Sequence, residues 1–301
     1  MSLDPILRSI VTVHASIPED AFTASTLGTR REGSGVTIRE DGLVLTIGYL
    51  IAEAEEIWLK RHDGHVVPGH PLAYDQETGF GLVQPLGRLG LPALKFGDAS
   101  AARIGDPVRL VDGHGLSVEA RILAKQEFAG YWEYLLDEAI FTAPAHPSWG
   151  GAPLIDSDGK LLGIGSLHLQ VSEDGERENI NMVVPIDLLT PILPDLISRG
   201  QANKPPRPWL GLFSAESDGG VVVISVAEGG PAAEAGLREG DIISDVRDGQ
   251  VDGLADFYRK VWRSGTAGAE VPIRIVRDGR ETWLRLKSAD RRSFLRKPQL
   301  Q

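Results

Sequence analysis

Residues 229–251 read GGPAAEAGLREGDIISDVRDGQV, and this stretch decides more of the fold than any other. Pro231 suits the first turn of a helix, because that position needs no N–H partner and the ring presets a helical φ. Gly236 lies where such a helix would end, since glycine adopts the left-handed conformation of a helix C-terminus without steric cost. Gly240 then allows a turn into the apolar run at 241–246. The pattern predicts a short helix that leads directly into a strand.

The residues around this stretch complete a small unit of strands and helices. Apolar and β-branched runs predict strands, and apolar residues at helical spacing predict a second helix. The predicted strands are 221–226, 241–246, 271–276 and 281–286, and the predicted helices are 231–235 and 254–263. Ahead of this unit, the polar and proline-rich segment 201–208 is typical of a linker.

The first 200 residues favour short strands separated by glycine-containing turns. Examples of such runs are 35–38, 43–46, 57–60 and 108–111, and Asp-Gly turn signals occur at 41–42, 63–64, 112–113 and 158–159. Many short strands at this spacing predict a barrel or a sandwich. One segment, 185–199, has helical spacing instead, with Pro191 and Pro194 expected to bend it and Gly200 expected to stop it.

Composition and charge exclude several classes of protein. The chain has 301 residues, which predicts two domains of ordinary size, and its net charge is −11. An acidic chain disfavours non-specific binding to nucleic acids or anionic membranes. No cysteine is present, so disulfides, thiol nucleophiles and cysteine-ligated zinc are excluded. We expect no membrane span and no signal peptide in this chain. The one basic cluster, at the C-terminus, is expected to be a solvated tail; it consists of Arg291, Arg292, Arg296 and Lys297.

Residues 229–251 resemble the core of a PDZ domain, S-P-A-A-x-A-G-L-x-x-G-D-x-I, and nearly the whole chain resembles the HtrA/DegP family of serine proteases. The resemblance implies a mainly β fold, a trypsin-like double β-barrel followed by a PDZ domain. The implied boundaries are a two-barrel domain at 1–200, with barrels at roughly 1–98 and 99–200, a linker at 201–208, a PDZ domain at 209–290 and a basic tail at 291–301.

Three segments align without gaps with the catalytic motifs of this family. The family's histidine motif is D-G-x-I-L-T-N-x-H-V, and DGLVLTIGYL places Tyr49 at the histidine. The aspartate motif is D-x-x-T-D-L-A-V-L, and DQETGFGLV places Gly79 at the catalytic aspartate. The serine motif is N-P-G-N-S-G-G-P-L, and HPSWGGAPL places Gly150 at the serine. The resemblance therefore implies a degenerate site in which all three triad positions are replaced.

Acyl transfer in this fold needs a hydroxyl nucleophile, an imidazole base and a carboxylate that orients the imidazole. Glycine supplies neither nucleophile nor orienting acid, and a phenol with an ordinary pKa near 10 is a poor base at neutral pH. An alternative is an active site that uses Ser148 as a displaced nucleophile. Candidate bases for it are His146, His114 and His168. Trp149 in the same loop is expected to plug the former cleft, to anchor a ligand or simply to pack.

The PDZ resemblance implies a peptide-binding site. Such domains hold an extended peptide on a sheet edge, with its terminal carboxylate on backbone N–H groups of a loop that reads aromatic-L-G-[IVL]. The expected site residues are Trp209, Leu210, Gly211 and Leu212 in the loop and Phe257 and Val261 in the apolar pocket, with Arg207 near enough to assist. The alternative is a PDZ domain that packs on the barrels and binds no free peptide.

No cofactor and no metal are expected. His62, His65 and His70 have spacing that suggests zinc, but they straddle an Asp-Gly turn and a proline, which favours a surface hairpin. Relatives in this family often form trimers through aromatic residues near the N-terminus. Here Phe22 is the only phenylalanine, tyrosine or tryptophan among the first 40 residues, which disfavours the usual trimer.

The leading hypothesis is an inactive HtrA-like protein that binds peptides or unfolded segments as a scaffold or regulator. Protein C-termini and active relatives are the expected partners, and family members are often periplasmic or otherwise extracytoplasmic. The alternatives are an active serine endopeptidase that uses Ser148 and a purely structural subunit of an HtrA-like assembly.

Overall fold

The computed structural model describes residues 4–173, 176–217, 220–247 and 249–297. These residues form two compact units. The first contains the described residues of Met1–Gln126, Glu138–Asn203 and Leu295–Gln301, and the second contains those of Glu127–Asp137 and Lys204–Phe294. The change of unit at Lys204 falls inside the predicted linker 201–208. The extreme N-terminus and the end of the predicted tail, 1–3 and 298–301, lie outside the described residues.

Six strands of the first unit close into a barrel in the order β1-β2-β3-β6-β5-β4. Its helices and strands are α1 Asp4–Leu7, β1 Ile10–Ser16, α2 Ala24–Leu27, β2 Arg30–Thr37, β3 Val44–Ile47, β4 Glu56–Lys60, β5 Val66–Tyr74 and β6 Phe80–Pro85. Strand β4 illustrates the pattern, because Ile57 and Leu59 are buried whereas Trp58 between them is 44% exposed. This alternation places every second side chain in the barrel interior.

Six further strands close a second barrel in the order β10-β11-β12-β9-β8-β7. They are β7 Pro107–Val111, β8 Ser117–Gly130, β9 Tyr134–Ala143, β10 Pro153–Ile155, β11 Leu161–Glu173 and β12 Glu176–Pro185. The predicted double β-barrel is therefore confirmed. The long strands β8 and β9 run on into Glu127–Asp137, the segment that is grouped with the second unit. We call this segment the hairpin tip.

The helix predicted over 185–199 is wrong in its extent. Ile186–Leu188 forms only a 3₁₀ turn, and α3 covers Leu193–Arg199 with a proline in its first turn. Proline lacks the N–H that a helix interior needs, so the prolines confine the helix to the end of the segment. Gly200 ends it in the left-handed conformation at φ 70°, as predicted.

The second unit contains a sheet with the strand order β13-β14-β15-β17-β18, and β16 pairs with β15. Its elements are β13 Leu212–Ser217, β14 Gly220–Val226, α4 Pro231–Glu234, β15 Ile242–Val246, β16 Gly249–Gln250, α5 Leu254–Trp262, β17 Glu270–Arg277 and β18 Arg280–Lys287. Each predicted helix and strand of this unit is found within a few residues of its expected position. The buried face of α5 packs into the apolar core with Leu210, Leu212 and Val221.

The predicted solvated basic tail is only partly in solvent, because Arg296 and Lys297 are exposed whereas Arg291 and Arg292 are partly buried. Arg291–Ser293 forms a 3₁₀ turn, and Arg292 binds the carboxylate of Asp290 at 2.7 Å. Within the first unit, the N–H of Arg296 donates to the Glu53 carboxylate at 3.0 Å. These acidic partners hold the start of the tail in place.

Across the described ranges, no helix combines the length and the apolar character that crossing a membrane requires.

Candidate functional site

The structure brings together the three positions that align with the triad. Tyr49 lies in a 3₁₀ turn after β3, Gly79 directly precedes β6, and Gly150 lies in the loop before β10. The N–H of Gly48 donates to the Gly79 carbonyl oxygen at 2.7 Å. A Cβ placed on Gly150 would lie 2.9 Å from the Tyr49 hydroxyl oxygen. The gap-free alignment thus identified residues that are neighbours in space, although they come from both barrels.

The Tyr49 side chain fills the centre of this site. Its hydroxyl donates to the Ser166 carbonyl oxygen at 3.0 Å. Burial raises the pKa of Tyr49 well above its usual value, and a hydrogen bond with the Trp149 side chain only partly opposes this shift. The phenol therefore remains protonated at every physiological pH and cannot serve there as a general base.

Backbone contacts fix the loop around Gly150. The Gly150 carbonyl oxygen accepts from the Ser34 N–H at 2.8 Å, and the Gly151 N–H donates to the Gly165 carbonyl oxygen at 2.9 Å. Gly151 has φ 77°, and a Cβ there would lie only 2.0 Å from the Ser34 carbonyl oxygen. A side chain is therefore excluded at residue 151 by both conformation and space.

Ser148, the alternative nucleophile, is exposed, and its nearest predicted base is engaged elsewhere. His146 is fully buried; its Nδ1 accepts from the Ser148 N–H at 3.0 Å, and its Nε2 lies 3.2 Å from the Leu116 carbonyl oxygen. These contacts define a neutral ring that is protonated at Nε2. The Ser148 N–H is thereby bonded to the imidazole.

The other two histidines also have different partners. The Nε2 atom of His114 lies 2.8 Å from the Glu32 carboxylate, and the His168 ring packs on the Trp149 ring at 5.1 Å. Trp149 therefore contacts both Tyr49 and His168, which favours the packing role among the three that its sequence position left open.

Sequence reasoning missed the residues that hold the Tyr49 turn in place. Arg31 is buried, and its guanidinium donates to the Tyr49 carbonyl oxygen at 2.7 Å and to the Ala52 carbonyl oxygen at 3.1 Å. The Asp75 carboxylate accepts from the Thr78 N–H at 2.9 Å and so fixes the turn that ends at Gly79. Both are side-chain-to-backbone contacts, which a motif comparison does not reveal.

In the second unit, the loop before β13 surrounds a carboxylate. The N–H groups of Leu210, Gly211 and Leu212 donate to the side chain of Glu133 at 3.0, 2.7 and 2.9 Å. Gly211 has φ 77°, and a Cβ there would lie 3.2 Å from the Trp209 ring. This conformation is what turns three successive N–H groups toward one acceptor. The loop residues predicted from the sequence are thus arranged around an anion.

Phe257 and Val261, the predicted pocket residues, are fully buried in the core of this unit, and Leu135 of the hairpin tip belongs to the same cluster. Arg207, expected near the carboxylate, instead stacks on Trp262 with its guanidinium carbon 4.2 Å from the ring centre. Burial raises the pKa of Glu133 to about 7, and the cation that opposes this shift is Arg291. Neither Glu133 nor Arg291 has a sequence signal that distinguishes it from an ordinary surface residue.

Within the described residues, no group of three histidine, aspartate or glutamate side chains is arranged to hold a metal ion. His62 and His65 lie in the turn between β4 and β5, whereas His70 lies within β5.

Comparisons with known proteins follow this division of the chain. Residues 33–164 match the family model of the trypsin-like peptidase domain, and residues 208–287 match that of the PDZ domain. The serine protease Do-like HtrA of Bacillus subtilis (strain 168) is 26% identical over 321 residues, which cover 95% of this chain and 70% of that protein. A probable periplasmic serine endoprotease DegP-like from Pseudomonas putida (strain W619) is 28% identical over 272 residues, which cover 82% of this chain and 53% of that protein. This chain therefore spans about half the length of that relative.

Solved structures agree on the fold. The HtrA-type protease AlgW with decapeptide superposes with a TM-score of 0.57 at 23% identity and covers 99% of this chain and 100% of that one. The serine endoprotease from Yersinia pestis gives a TM-score of 0.55 at 22% identity and covers 96% and 98%. The chain thus consists of a trypsin-like peptidase domain followed by a C-terminal PDZ domain, and it is homologous to the HtrA and DegP serine proteases.

Proposed function

We propose that this protein is an HtrA-like protein that does not hydrolyse peptides and that binds peptides or unfolded segments through its PDZ domain. Its role would be that of a scaffold or regulator. The proposal has two parts, the loss of catalysis in the first unit and the capture of a carboxylate in the second, and each has its own test.

The observation that carries the first part is the position of the Tyr49 hydroxyl, 2.9 Å from where a Cβ on Gly150 would lie. A phenol that stays protonated occupies the space between the expected base and the expected nucleophile. The backbone of Gly79 is a second obstacle to a working triad, because an aspartate adopts its φ of 85° only with strain. Restoring a single triad residue would therefore not restore the site.

Fluorophosphonate labelling tests this part, because the probe reacts with activated serine hydroxyls. We expect no labelling of the wild type or of Ser148→Ala, and no cleavage of an unfolded protein substrate. A control with Tyr49→His, Gly79→Asp and Gly150→Ser together shows whether a rebuilt triad can react in this scaffold. Labelling of the wild type that disappears in Ser148→Ala would instead favour an active endopeptidase that uses Ser148.

The second part is supported by the three N–H groups of residues 210–212, which hold the carboxylate of Glu133 at 2.7–3.0 Å. A peptide C-terminus presents the same chemical group, and PDZ domains bind it on such a loop. One solved relative, the HtrA-type protease AlgW, is known in a structure with a decapeptide.

Matched peptides with free and amidated C-termini test this part by fluorescence anisotropy. We expect the free carboxylate to bind at least about tenfold more tightly, since removing an ionised acceptor from three N–H donors loses charge-assisted hydrogen bonds. The ratio should be measured with the wild type and with Glu133→Ala. Equal binding of the two peptides by both proteins would contradict carboxylate capture.

A further inference from the structure

The hairpin tip brings its own carboxylate to the PDZ loop. The two oxygens of Glu133 accept from all three N–H groups of residues 210–212. Glu133 has φ 58°, a left-handed conformation that non-glycine residues adopt rarely. Strain of this kind persists only where the surrounding contacts compensate for it. The bonds to the loop are such contacts.

The main chain of the tip also contacts the edge strand of the sheet. The Ser214 N–H on β13 donates to the Tyr131 carbonyl oxygen at 2.8 Å. The Tyr258 hydroxyl on α5 donates to the Gly130 carbonyl oxygen at 2.7 Å and accepts from the Glu133 N–H at 3.2 Å. The tip therefore contacts both the free edge of β13 and the helix α5, and PDZ domains hold an added strand on a sheet edge of this kind.

Apolar and charged contacts fix the tip further. Leu135 is 7% exposed and belongs to the same buried cluster as Phe257 and Val261. The guanidinium of Arg259 binds Glu127 at 2.5 Å and Asp137 at 2.6 Å, so one cation joins the two ends of the tip. Four aromatic rings within the tip pack on one another; they belong to Phe128, Tyr131, Trp132 and Tyr134. Such a preorganised segment loses little entropy on docking.

A ligand of this groove needs a carboxylate, a main-chain partner for β13 and an apolar side chain, and the tip supplies all three. We propose that the hairpin tip is the resident ligand of the PDZ groove, with the Glu133 side chain in the place of a peptide C-terminus, so that any external ligand must displace it. The statement that an external ligand must displace the tip rests on the proposed function, whereas the identification of the tip as the ligand of the groove does not. The groove would then be closed in the resting protein and open only when the tip leaves.

The first test uses the tip itself as a probe. A fluorescent, acetylated and amidated peptide with the sequence of residues 127–137, EFAGYWEYLLD, has no terminal carboxylate. We expect it to bind full-length Glu133→Ala at least about tenfold more tightly than the wild type, a ratio worth about 1.4 kcal/mol. The same peptide carrying Glu133→Ala should lose most of this binding. Equal affinity of the probe for the wild type and Glu133→Ala would overturn the proposal.

Hydrogen exchange gives a second, ligand-free measurement. The amides of residues 210–212 should exchange at least about tenfold faster in Glu133→Ala than in the wild type, because their acceptor is lost. Glu138→Ala is the matched control, since Glu138 is an exposed glutamate on the same hairpin that pairs with Lys125 at 3.1 Å. Should Glu133→Ala fold poorly, Glu133→Gln and Tyr258→Phe provide milder losses. Unchanged protection in every folded variant would contradict docking of the tip.

The two proposals can fail separately. If residues 210–212 lose protection in Glu133→Ala but no peptide with a free C-terminus binds any variant, peptide capture is wrong and the tip remains the ligand of the groove. If such peptides bind the wild type and Glu133→Ala equally, peptide capture stands and the resident-ligand proposal is wrong.

Discussion

The hydroxyl of Tyr49 and the missing side chain of Gly150 are two aspects of one arrangement. The hydroxyl lies 3.0 Å from the Ser166 carbonyl oxygen, and it occupies the space that the first atom of a side chain on residue 150 would need. Gly150 is not needed for its backbone conformation, since its φ is not among the positive ones. Space, rather than strain, therefore explains the glycine at this position.

This explanation predicts that Gly150→Ser destabilises the protein only while the Tyr49 hydroxyl is present. Inserting atoms into a packed site costs about 1–3 kcal/mol, and we expect a loss of that size in the free energy of unfolding. In a Tyr49→Phe background the same substitution should cost clearly less. Chemical denaturation of the four proteins of this double-mutant cycle measures the coupling. Additive effects would mean that the hydroxyl does not limit the space at residue 150.

Residues differ in how far the sequence reveals their roles. Tyr49, Gly79 and Gly150 each lie in a contiguous motif, so that counting along the chain was enough to bring them together. Glu133 was missed because its three partners lie 77–79 residues away, and no local pattern records that contact. A glutamate between two strands is ordinarily a solvated residue, which made it indistinguishable from its neighbours.

Among the elements, the hairpin of β8 and β9 departs most from what the sequence predicts. Local patterns located the helices and strands of 204–294 well, because each has its own period and its own glycine or proline signals. The polar, proline-rich composition of 201–208 divided the chain at a linker, and the family resemblance placed the whole segment 99–200 in one barrel. The hairpin tip instead packs with the second unit. This follows from the burial of Leu135 and from the long-range hydrogen bonds of Glu133 rather than from local propensity.

The partly buried position of the Glu133 side chain among the N–H groups of the loop predicts that docking of the tip depends on pH. Burial raises the pKa of its carboxyl to about 7, and the N–H donors and the Arg291 charge oppose this shift. A carboxyl whose pKa is raised by docking favours the docked state at low pH and loses that contribution as pH rises through about 7. Between pH 6 and pH 8 we expect docking to weaken by about tenfold, since one pKa unit corresponds to about 1.4 kcal/mol.

NMR titration of the Gly211 amide measures this pH dependence, and Glu133→Gln should be insensitive to pH over the same range. The other groups that face the carboxyl are Arg291 and the Tyr258 hydroxyl, whose pKa is itself raised by burial. The raised pKa of Tyr258 keeps its hydroxyl protonated between pH 6 and pH 8, and residues 127–137 and 204–294 contain no histidine. If docking strengthened as the pH rises, the three N–H donors, and not burial, would dominate the pKa of the Glu133 carboxyl.

At the scale of the whole molecule, the net charge of −11 predicts which ligands associate fastest. An acidic protein attracts cationic segments over several ångströms, and added salt screens this attraction, with a Debye length of about 10 Å at 0.1 M and about 3 Å at 1 M. For Glu133→Ala, in which the groove is expected to be open, a lysine-rich peptide should therefore associate several-fold more slowly at high salt. A glutamate-rich peptide with the same C-terminal residues should associate faster, because salt relieves its repulsion. Stopped-flow measurement of both peptides over one salt series tests this, and an identical response of the two would mean that the overall charge does not steer ligands to the groove.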